Sequence, residues 1–528
     1  MDNIAKELSQ RIIGNVYSGE AVLEAYSKDR SILEITPQLV AVPESVEDIQ
    51  EIVRFVASHP ELPITVRGSG LDKTGADLGS GLILSTEHLN KVQEVDEKSR
   101  LVRVQAGVTM ETLNSVLAVY GLCVPIDVNP KETIGGLIAN FPTDPAARKY
   151  GSIYYYVDRI ETVLSNGDLI QTISYTKRGL LKAKQNSNFE GQIYRGLFDL
   201  LRDQFDVVED ISSQHERDFA GYRMVTEVEQ DGNKTFDLMP LFFASQGTLG
   251  IITEVILKAE PISHAPTHLV ASFNSVRPAL DYLHAVSELH PAAIDIYDAR
   301  IFKDAALYGK KLSILNHQLE SGFYTIITFD DSSFRTRGKL KKALRLADKA
   351  SNTTVETPEN TAEFKEVMSA LSAYHNDGLK GERLTVADNS RLPSDQLPSF
   401  VAELRNLERL FNFDIPLYGS FATNNYHVRP DVELGSVGGR QTAINFLRSY
   451  AKLVEQHKGS ITGTIAEGRT KGTITTPAFS DRERDFYREI KRIFDPDNIL
   501  NPEVKLGAHL PTIVRHLRKD ILPGINEQ

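Results

Sequence analysis

The chain has 528 residues, more than one hydrophobic core can organise, so two or three domains are expected. Hydrophobic residues at 41% and charged residues at 25% are ordinary for a globular protein, and a net charge of −12 argues against a nucleic-acid surface, which needs clustered Lys and Arg. No apolar run approaches the roughly 18 residues of a membrane span, residues 1–10 do not read as a signal peptide, and the single cysteine, Cys123, excludes an internal disulfide and fits a reducing cytoplasm.

In chain order, residues 1–30 read as amphipathic helix, and 39–42 as a strand closed by Pro43. Ser45 is an N-cap with Asp48 three residues on, and Val46, Ile49, Ile52, Val53 and Val56 mark one apolar helix face. Strands follow at 64–66, 82–84 and 101–105, then a helix capped by Thr109 and stopped by Gly121. Asn166-Gly167 between two apolar runs is a two-residue hairpin signal. The polar stretch 177–192 reads as an excursion loop. After Pro261 the pattern becomes a strand (267–273), a helix with Leu280, Leu283 and Val286 on one face, a strand (323–328), helices at 337–349, 361–374 and 396–411, and a strand at 414–418. This irregular alternation predicts an α+β fold: a first region, then a separate α+β cap with an antiparallel sheet.

Three glycine-centred turns stand out: Arg67-Gly68-Ser69-Gly70, Thr133-Ile134-Gly135-Gly136 and the run 246–253 around Gly247 and Gly250. Glycine lets backbone N–H groups close on a ligand, and successive N–H groups form an anion-binding concavity. Three such turns predict one long phosphorylated ligand, such as a dinucleotide. A nicotinamide fingerprint needs G-x-G-x-x-G opening a helix, and no helix pattern follows Gly70; Lys73-Thr74 mimics the end of a Walker A loop, but Asp72 stands where its glycine belongs.

These residues resemble the FAD-linked oxidases of the vanillyl-alcohol oxidase / p-cresol methylhydroxylase superfamily. The branch nearest in pattern contains D-lactate, D-2-hydroxyglutarate and glycolate oxidase-type dehydrogenases. The resemblance runs through Pro37-Gln38-Leu39-Val40-Ala41-Val42-Pro43, Val66-Arg67-Gly68-Ser69-Gly70, Gln105-Ala106-Gly107-Val108, Pro125-Ile126-Asp127, Thr133-Ile134-Gly135-Gly136 with Ala139-Asn140, Lys149-Tyr150-Gly151, Ala220-Gly221-Tyr222, residues 246–254 and the closing Phe494-Asp495-Pro496 with Leu500-Asn501-Pro502. It implies a p-cresol-methylhydroxylase-type two-subdomain FAD-binding domain over 36–261, after an N-terminal helical segment 1–35. It further implies a substrate cap over 262–475, a C-terminal segment 476–510 returning to the FAD domain, and a tail 511–528.

The same resemblance assigns FAD contacts to Arg67, Gly68, Ser69, Gly70, Leu71, Asp72, Asp127, Thr133, Gly135, Gly136, Asn140, Thr143, Gly247, Gly250, Ile251 and Ile252, with Asn501 approaching the isoalloxazine. Ser69, Leu71 and Asp72 offer no attachment chemistry, so non-covalent FAD is expected.

The hydroxyacid members of that family carry a cap signature H-x-G-D-G-N-x-H, later joined by E-H. Two His and the Glu bind a divalent metal, and the second motif's His is the base. Here the first segment reads Ser420-Phe421-Ala422-Thr423-Asn424-Asn425-Tyr426-His427, and Thr464-Ile465 replaces E-H. Only Asn425 and His427 survive. One imidazole cannot hold a catalytic metal that takes three protein ligands, so no metal is expected. His427, with Tyr426 and Arg469, is the candidate catalytic set, because imidazole titrates near neutrality. Asn425, Arg429 and His375 are the candidate substrate-binding residues, a guanidinium being able to grip a carboxylate through two bonds. Each also has a bland reading as a hydrogen-bonded or solvated residue, as do Glu467, Lys149 and Tyr150.

The expected activity is oxidation of a CH–OH group of a small polar substrate, a hydroxy acid or a sugar-like alcohol, by hydride transfer to flavin N5. The alternative is an FAD-binding protein that has lost turnover and acts as a binding or regulatory subunit. The electron acceptor is unnamed by the sequence, a homodimer stays open, and a cytoplasmic location is expected.

Overall fold

The computed structural model describes the chain except residues 144–146, 215–217, 231–234, 264, 306, 308–313, 315–320, 377–388, 431 and 521–528. Its first sheet takes strands β1 (Asn15–Tyr17), β2 (Leu39–Val42), β3 (Ile64–Arg67) and β4 (Leu82–Ser85) in the order β1-β2-β4-β3. β4 runs parallel to both β2 and β3, while β1 is antiparallel. The expected continuous helix over residues 1–30 is split into α1 (Asp2–Ser9) and α2 (Glu20–Ala25), because β1 intervenes to pair with β2. Helix α3 (Val46–Ala57) starts where Ser45 Oγ accepts from Asp48 N, and it buries Ile49, Ile52, Val53 and Val56 against this sheet.

The second sheet is antiparallel: β5 (Val92–Asp96), β6 (Leu101–Gln105), β7 (Val157–Val163), β8 (Leu169–Gln171) and β9 (Ile251–Lys258), ordered β5-β6-β9-β7-β8. Gly167, at φ +83°, makes the β7–β8 hairpin turn. Helix α4 (Met110–Ala118) is capped by Thr109, whose Oγ1 accepts from Thr112 N; α5 (Ile134–Asn140) is capped by Thr133. The stretch expected as a loop at 177–192 instead forms α6 (Lys177–Gln185) and the start of α7 (Phe189–Asp203). These helices bury Leu180, Ala183, Ile193, Tyr194 and Leu197 in the core beneath the second sheet, so tertiary burial outweighs the polar composition.

The cap is built on a seven-stranded sheet among the described residues. Its strands are β10 (Thr267–Phe273), β11 (Ala293–Asp298), β12 (Phe323–Phe329), β13 (Asn352–Val355), β14 (Ser390–Arg391), β15 (Leu417–Ser420) and β16 (Asn425–Val428), ordered β13-β10-β12-β11-β15-β16-β14. All its pairings are antiparallel. Strand alternation sorts its two faces. One, with Ile294, Ile296, Leu417, Tyr426 and Val428, packs on α8 (Val276–Ser287), α10 (Leu397–Phe411) and α11 (Val437–Gln456). The other, with Tyr297, Ile326 and Tyr418, packs on α9 (Thr361–Asn376).

The chain then returns to the first sheet. After α12 (Asp481–Phe494), Ile64 N donates to Ile499 O and Asn501 N donates to Ile64 O, each at 2.7 Å, placing Leu500 alongside β3.

Candidate functional site

The two sheets of the first region face each other across a cleft. Its walls are the loop leaving β3, the start of α5 and the turn before β9, so the three glycine segments converge on one space. Gly68, Ser69, Gly70, Leu71, Asp72, Thr133, Gly135, Gly136, Asn140, Gly247, Gly250, Ile251 and Ile252 all line it. Two glycines are required by geometry. A Cβ on Gly68 would overlap Thr133 Oγ1, and Gly70 sits at φ +70°, where a Cβ would also stand 2.5 Å from the Arg67 guanidinium.

The three turns do not contribute equally. None of the backbone N–H groups of Gly68, Ser69, Gly70, Leu71 and Asp72 donates a hydrogen bond to a described residue. At α5, by contrast, Ile134 N bonds Val108 O, Gly135 N bonds Ala106 O and Gly136 N bonds Thr133 Oγ1. The β3 loop therefore keeps its N–H groups open among the described residues, whereas α5 supplies a close-packed wall. A run of unspent donors beside an apolar slot fits the diphosphate and ring systems of FAD.

Side-chain amides lock the turns together. Asp72 accepts from Thr74 N at 2.9 Å, Ala76 N at 2.7 Å and Asn140 Nδ2 at 3.0 Å. Gln246 Nε2 donates to Asn140 Oδ1 at 3.0 Å, and its Oε1 accepts from Gly468 N at 2.9 Å. Gln246, Glu132, Lys73, Asp77, Asn389 and Ile465 line the cleft without having been singled out as cofactor contacts. Gln246 and Glu132 adjoin the glycine motifs, so proximity in sequence was the available signal; Asn389 had none. Burial pushes Glu132 up to about 7, with Lys73 opposing and Asp72 adding to the shift.

Four expected cofactor contacts lie elsewhere. Asn501 does not line the cleft: its Nδ2 donates to Ala76 O and Gln246 O, both at 2.7 Å, and its Oδ1 accepts from Thr65 Oγ1. It fastens the C-terminal return to two of the turns. Arg67 turns away to Lys28 O at 2.7 Å and stacks over Tyr26. Thr143 N bonds Thr464 O at 2.7 Å, joining the first region to the cap. Asp127 lies outside the cleft lining, and burial pushes its carboxyl up.

On the cap sheet, Asp295 pairs with Ser420, Tyr297 with Tyr418, Tyr418 with His427 and Ser420 with Asn425. These six side chains share one face. His375, from the end of α9, stacks on Tyr418 with centroids 4.5 Å apart, and His427 stacks on the same ring at 4.7 Å. Tyr426 projects to the opposite face, fully buried among the α8, α10 and α11 contacts, so it and His427 cannot serve one substrate. Burial, with Asp127 adding, pushes Asp295 up to about 8. Ser420 Oγ, Asn425 Oδ1 and Thr464 Oγ1 are buried and make no hydrogen bond among the described residues.

The two candidate arginines, Arg429 for substrate binding and Arg469 of the catalytic set, are committed to other partners. Arg429 donates to the carbonyls of Tyr374 and His375, closing the C-terminal end of α9, and lies over the Tyr374 ring. Arg469 is buried against the first region: Nε donates to Leu78 O at 3.0 Å, with Glu503 and Asn501 taking the other nitrogens, and burial pushes it down to about 10. Lys149 and Tyr150 both bond Asp330 of the cap.

This geometry defines a flavin-dependent oxidoreductase: a glycine-walled dinucleotide cleft closed by a separate cap. The FAD binding domain model matches residues 37–173, and that of the C-terminal domain of FAD linked oxidases matches 263–504, together well over half of the chain. The chain belongs to the FAD-linked oxidases. It is 25% identical to the glycolate oxidase subunit GlcD of Bacillus subtilis (strain 168), covering 88% of each chain. It is 23% identical to the D-2-hydroxyglutarate dehydrogenase of Pantoea ananatis (strain AJ13355), a match that covers 94% of this chain and 50% of that protein. The fold is similar to that of 4-ethylphenol oxidase from Gulosibacter chungangensis (TM-score 0.68, 13% identity, 97% of this chain and 98% of that one) and of p-cresol methylhydroxylase (TM-score 0.64, 13% identity, 97% of each). No helix among the described residues is long and apolar enough to cross a membrane.

Proposed function

We propose that the chain oxidises a CH–OH group of a small, uncharged hydroxylated substrate, an alcohol or sugar-like polyol, without a metal ion in the cap. One observation carries this reading: on the cap face, Ser420 Oγ and Asn425 Oδ1 are buried side by side with no hydrogen bond among the described residues, while Arg429 and Arg469 are spent on other partners. A buried acceptor without a donor is costly, and substrate hydroxyls supply donors. A carboxylate supplies only acceptors and adds charge near Asp127 and Asp295.

FAD, when bound, accepts hydride at N5, and the protein contributes positioning. The nest at 68–72 holds the diphosphate. The cleft is lined by no His, Cys or Tyr among the described residues, which supports non-covalent binding. His427, held flat against Tyr418, takes the hydroxyl proton in this scheme. A hydroxy acid, the class named for the glycolate and 2-hydroxyglutarate relatives, is the competing substrate. Ile465 lines the cleft and can accept no proton, which favours the second reading, an FAD protein without turnover serving as a binding or regulatory subunit. A cytoplasmic location accompanies the proposal; it leaves the acceptor and a homodimer open.

Anaerobic stopped-flow bleaching of the flavin band with polyols, simple alcohols and D-hydroxy acids tests it. Reduction by a polyol or alcohol supports the proposal. Reduction by hydroxy acids alone transfers the assignment to them, and no reduction by any member favours loss of turnover.

A further inference from the structure

The cap sheet carries a row of polar side chains that its own fold leaves unsatisfied. Register pairs Asp295 on β11 with Ser420 on β15, and Ser420 with Asn425 on β16, so the three stand side by side on the face that also holds His427. Ser420 and Asn425 are 3% and 4% exposed, and neither Ser420 Oγ nor Asn425 Oδ1 has a hydrogen-bond partner among the described residues. Asp295 is half-buried, and its carboxyl makes no hydrogen bond or ion pair among the described residues. Thr464 Oγ1, beside the cleft-lining Ile465, is a further buried polar atom without a described partner. Arg391 continues the row on β14 and is already partnered.

The row looks across at the first region. Asp127, on the loop before α5, is close enough to help push the Asp295 carboxyl up, burial being the larger cause. Asn389, just before β14, lines the FAD cleft. Neighbouring strands lie about 4.8 Å apart, so Asp295, Ser420 and Asn425 together span roughly 10 Å. A hydrogen bond joins heavy atoms only about 3 Å apart. One hydroxyl therefore satisfies one end of the row and leaves the other end unmet. Each unmet buried acceptor costs free energy, and a site built to bond a hydroxyl rejects an analogue that lacks it. A carboxyl oxygen accepts from a hydroxyl whether or not the group carries its proton, so Asp295 can take part in either state. Filling the row takes one molecule bearing several hydroxyls.

We propose that Asp295 is a specificity-determining residue of the substrate site. With Ser420 and Asn425 it bonds hydroxyls other than the one oxidised, and so selects sugar-sized polyols over monohydric alcohols, a role that rests on the polyol reading of this site. Asp295 holds the substrate and does not take the hydroxyl proton, which goes to His427.

The test uses the FAD-loaded full chain with xylitol, sorbitol and propanol as probes. Anaerobic stopped flow gives the saturating rate of flavin bleaching and the half-saturating concentration, and isothermal titration calorimetry gives binding without turnover. Xylitol or sorbitol is expected to bind about tenfold or more tightly than propanol. Asp295→Ala is expected to weaken binding of that polyol by about tenfold or more while the saturating rate stays within about threefold and propanol binding is unchanged. A merely structural role would move both probes together. Asp295→Asn, close in shape and still able to accept one bond, is expected to fall between parent and Asp295→Ala, with flavin content and circular dichroism reporting an intact fold. Polyol binding unchanged in Asp295→Ala, or lost equally for propanol, overturns the inference and leaves polyol oxidation standing. Polyols that neither bind to nor bleach the parent protein overturn the polyol reading itself, and this inference with it.

Discussion

Lys505 and Glu467 meet at 2.9 Å with both side chains wholly removed from solvent. Lys505 Nζ also donates to Ala244 O and Phe219 O, and Glu467 Oε1 accepts from Gly221 N at 2.7 Å. The pair bolts the turn around Glu467 and the C-terminal return onto the second sheet's core. Glu467 is therefore a strut, although its place three residues past Thr464, which stands where the family's E-H pair has its Glu, invites a catalytic reading.

Removing one partner leaves an uncompensated buried charge. Glu467→Ala is expected to lower unfolding free energy by about 3–5 kcal/mol, measured by urea denaturation. Glu467→Ala combined with Lys505→Met is expected to recover part of that loss; a single variant as stable as the parent would show that the pair holds nothing.

Gly68→Ala places a methyl group into Thr133 Oγ1 at the floor of the nest. FAD affinity is expected to fall at least tenfold, ~1.4 kcal/mol, read from flavin retained after gel filtration. Fold is expected to survive, as circular dichroism would report. Undiminished FAD content would mean that the diphosphate lies elsewhere.

Glu132 titrates from about 7 in the folded protein against 4.5 for the free side chain. Its folded pKa is raised, so its contribution to stability is fully present below the unfolded pKa and is lost as pH rises through 7. For FAD-free protein, the urea midpoint is expected to fall between pH 5 and pH 8, at no more than ~1.4 kcal/mol per pH unit from this group. Glu132→Gln is expected to flatten that slope, and an unchanged slope would assign it to other carboxyls such as Asp72.

His427→Asn keeps a polar, hydrogen-bonding side chain beside Tyr418 but removes the imidazole as proton acceptor. Flavin reduction by the substrate is expected to slow by about 10²–10⁴-fold while FAD still co-purifies. Reduction at the parent rate would take His427 out of the chemistry.

Local signals were legible along the chain because they act over a few residues. Ser45 and Thr109 cap their helices, Asn166-Gly167 turns its hairpin, and the glycine segments mark the cofactor cleft, since each depends on backbone geometry within one turn. The helices at 177–203 escaped this reading because burial against a distant core, rather than their composition, decides them. Tyr426 and His427 show the same limit on a finer scale: adjacency in sequence hid the strand alternation that sends them to opposite faces.

By itself, the order of residues determined an FAD-linked oxidase framework, with Ser420 and Thr464 standing where the resemblance places two metal-binding side chains. Tertiary structure alone decided that Asn501, Arg429 and Arg469 hold backbone in place, and that Asp295, Ser420 and Asn425 share one face of the cap sheet. Hydrogen bonds and charge contacts between segments hundreds of residues apart follow from how the sheets close on each other, and no local periodicity encodes that closure.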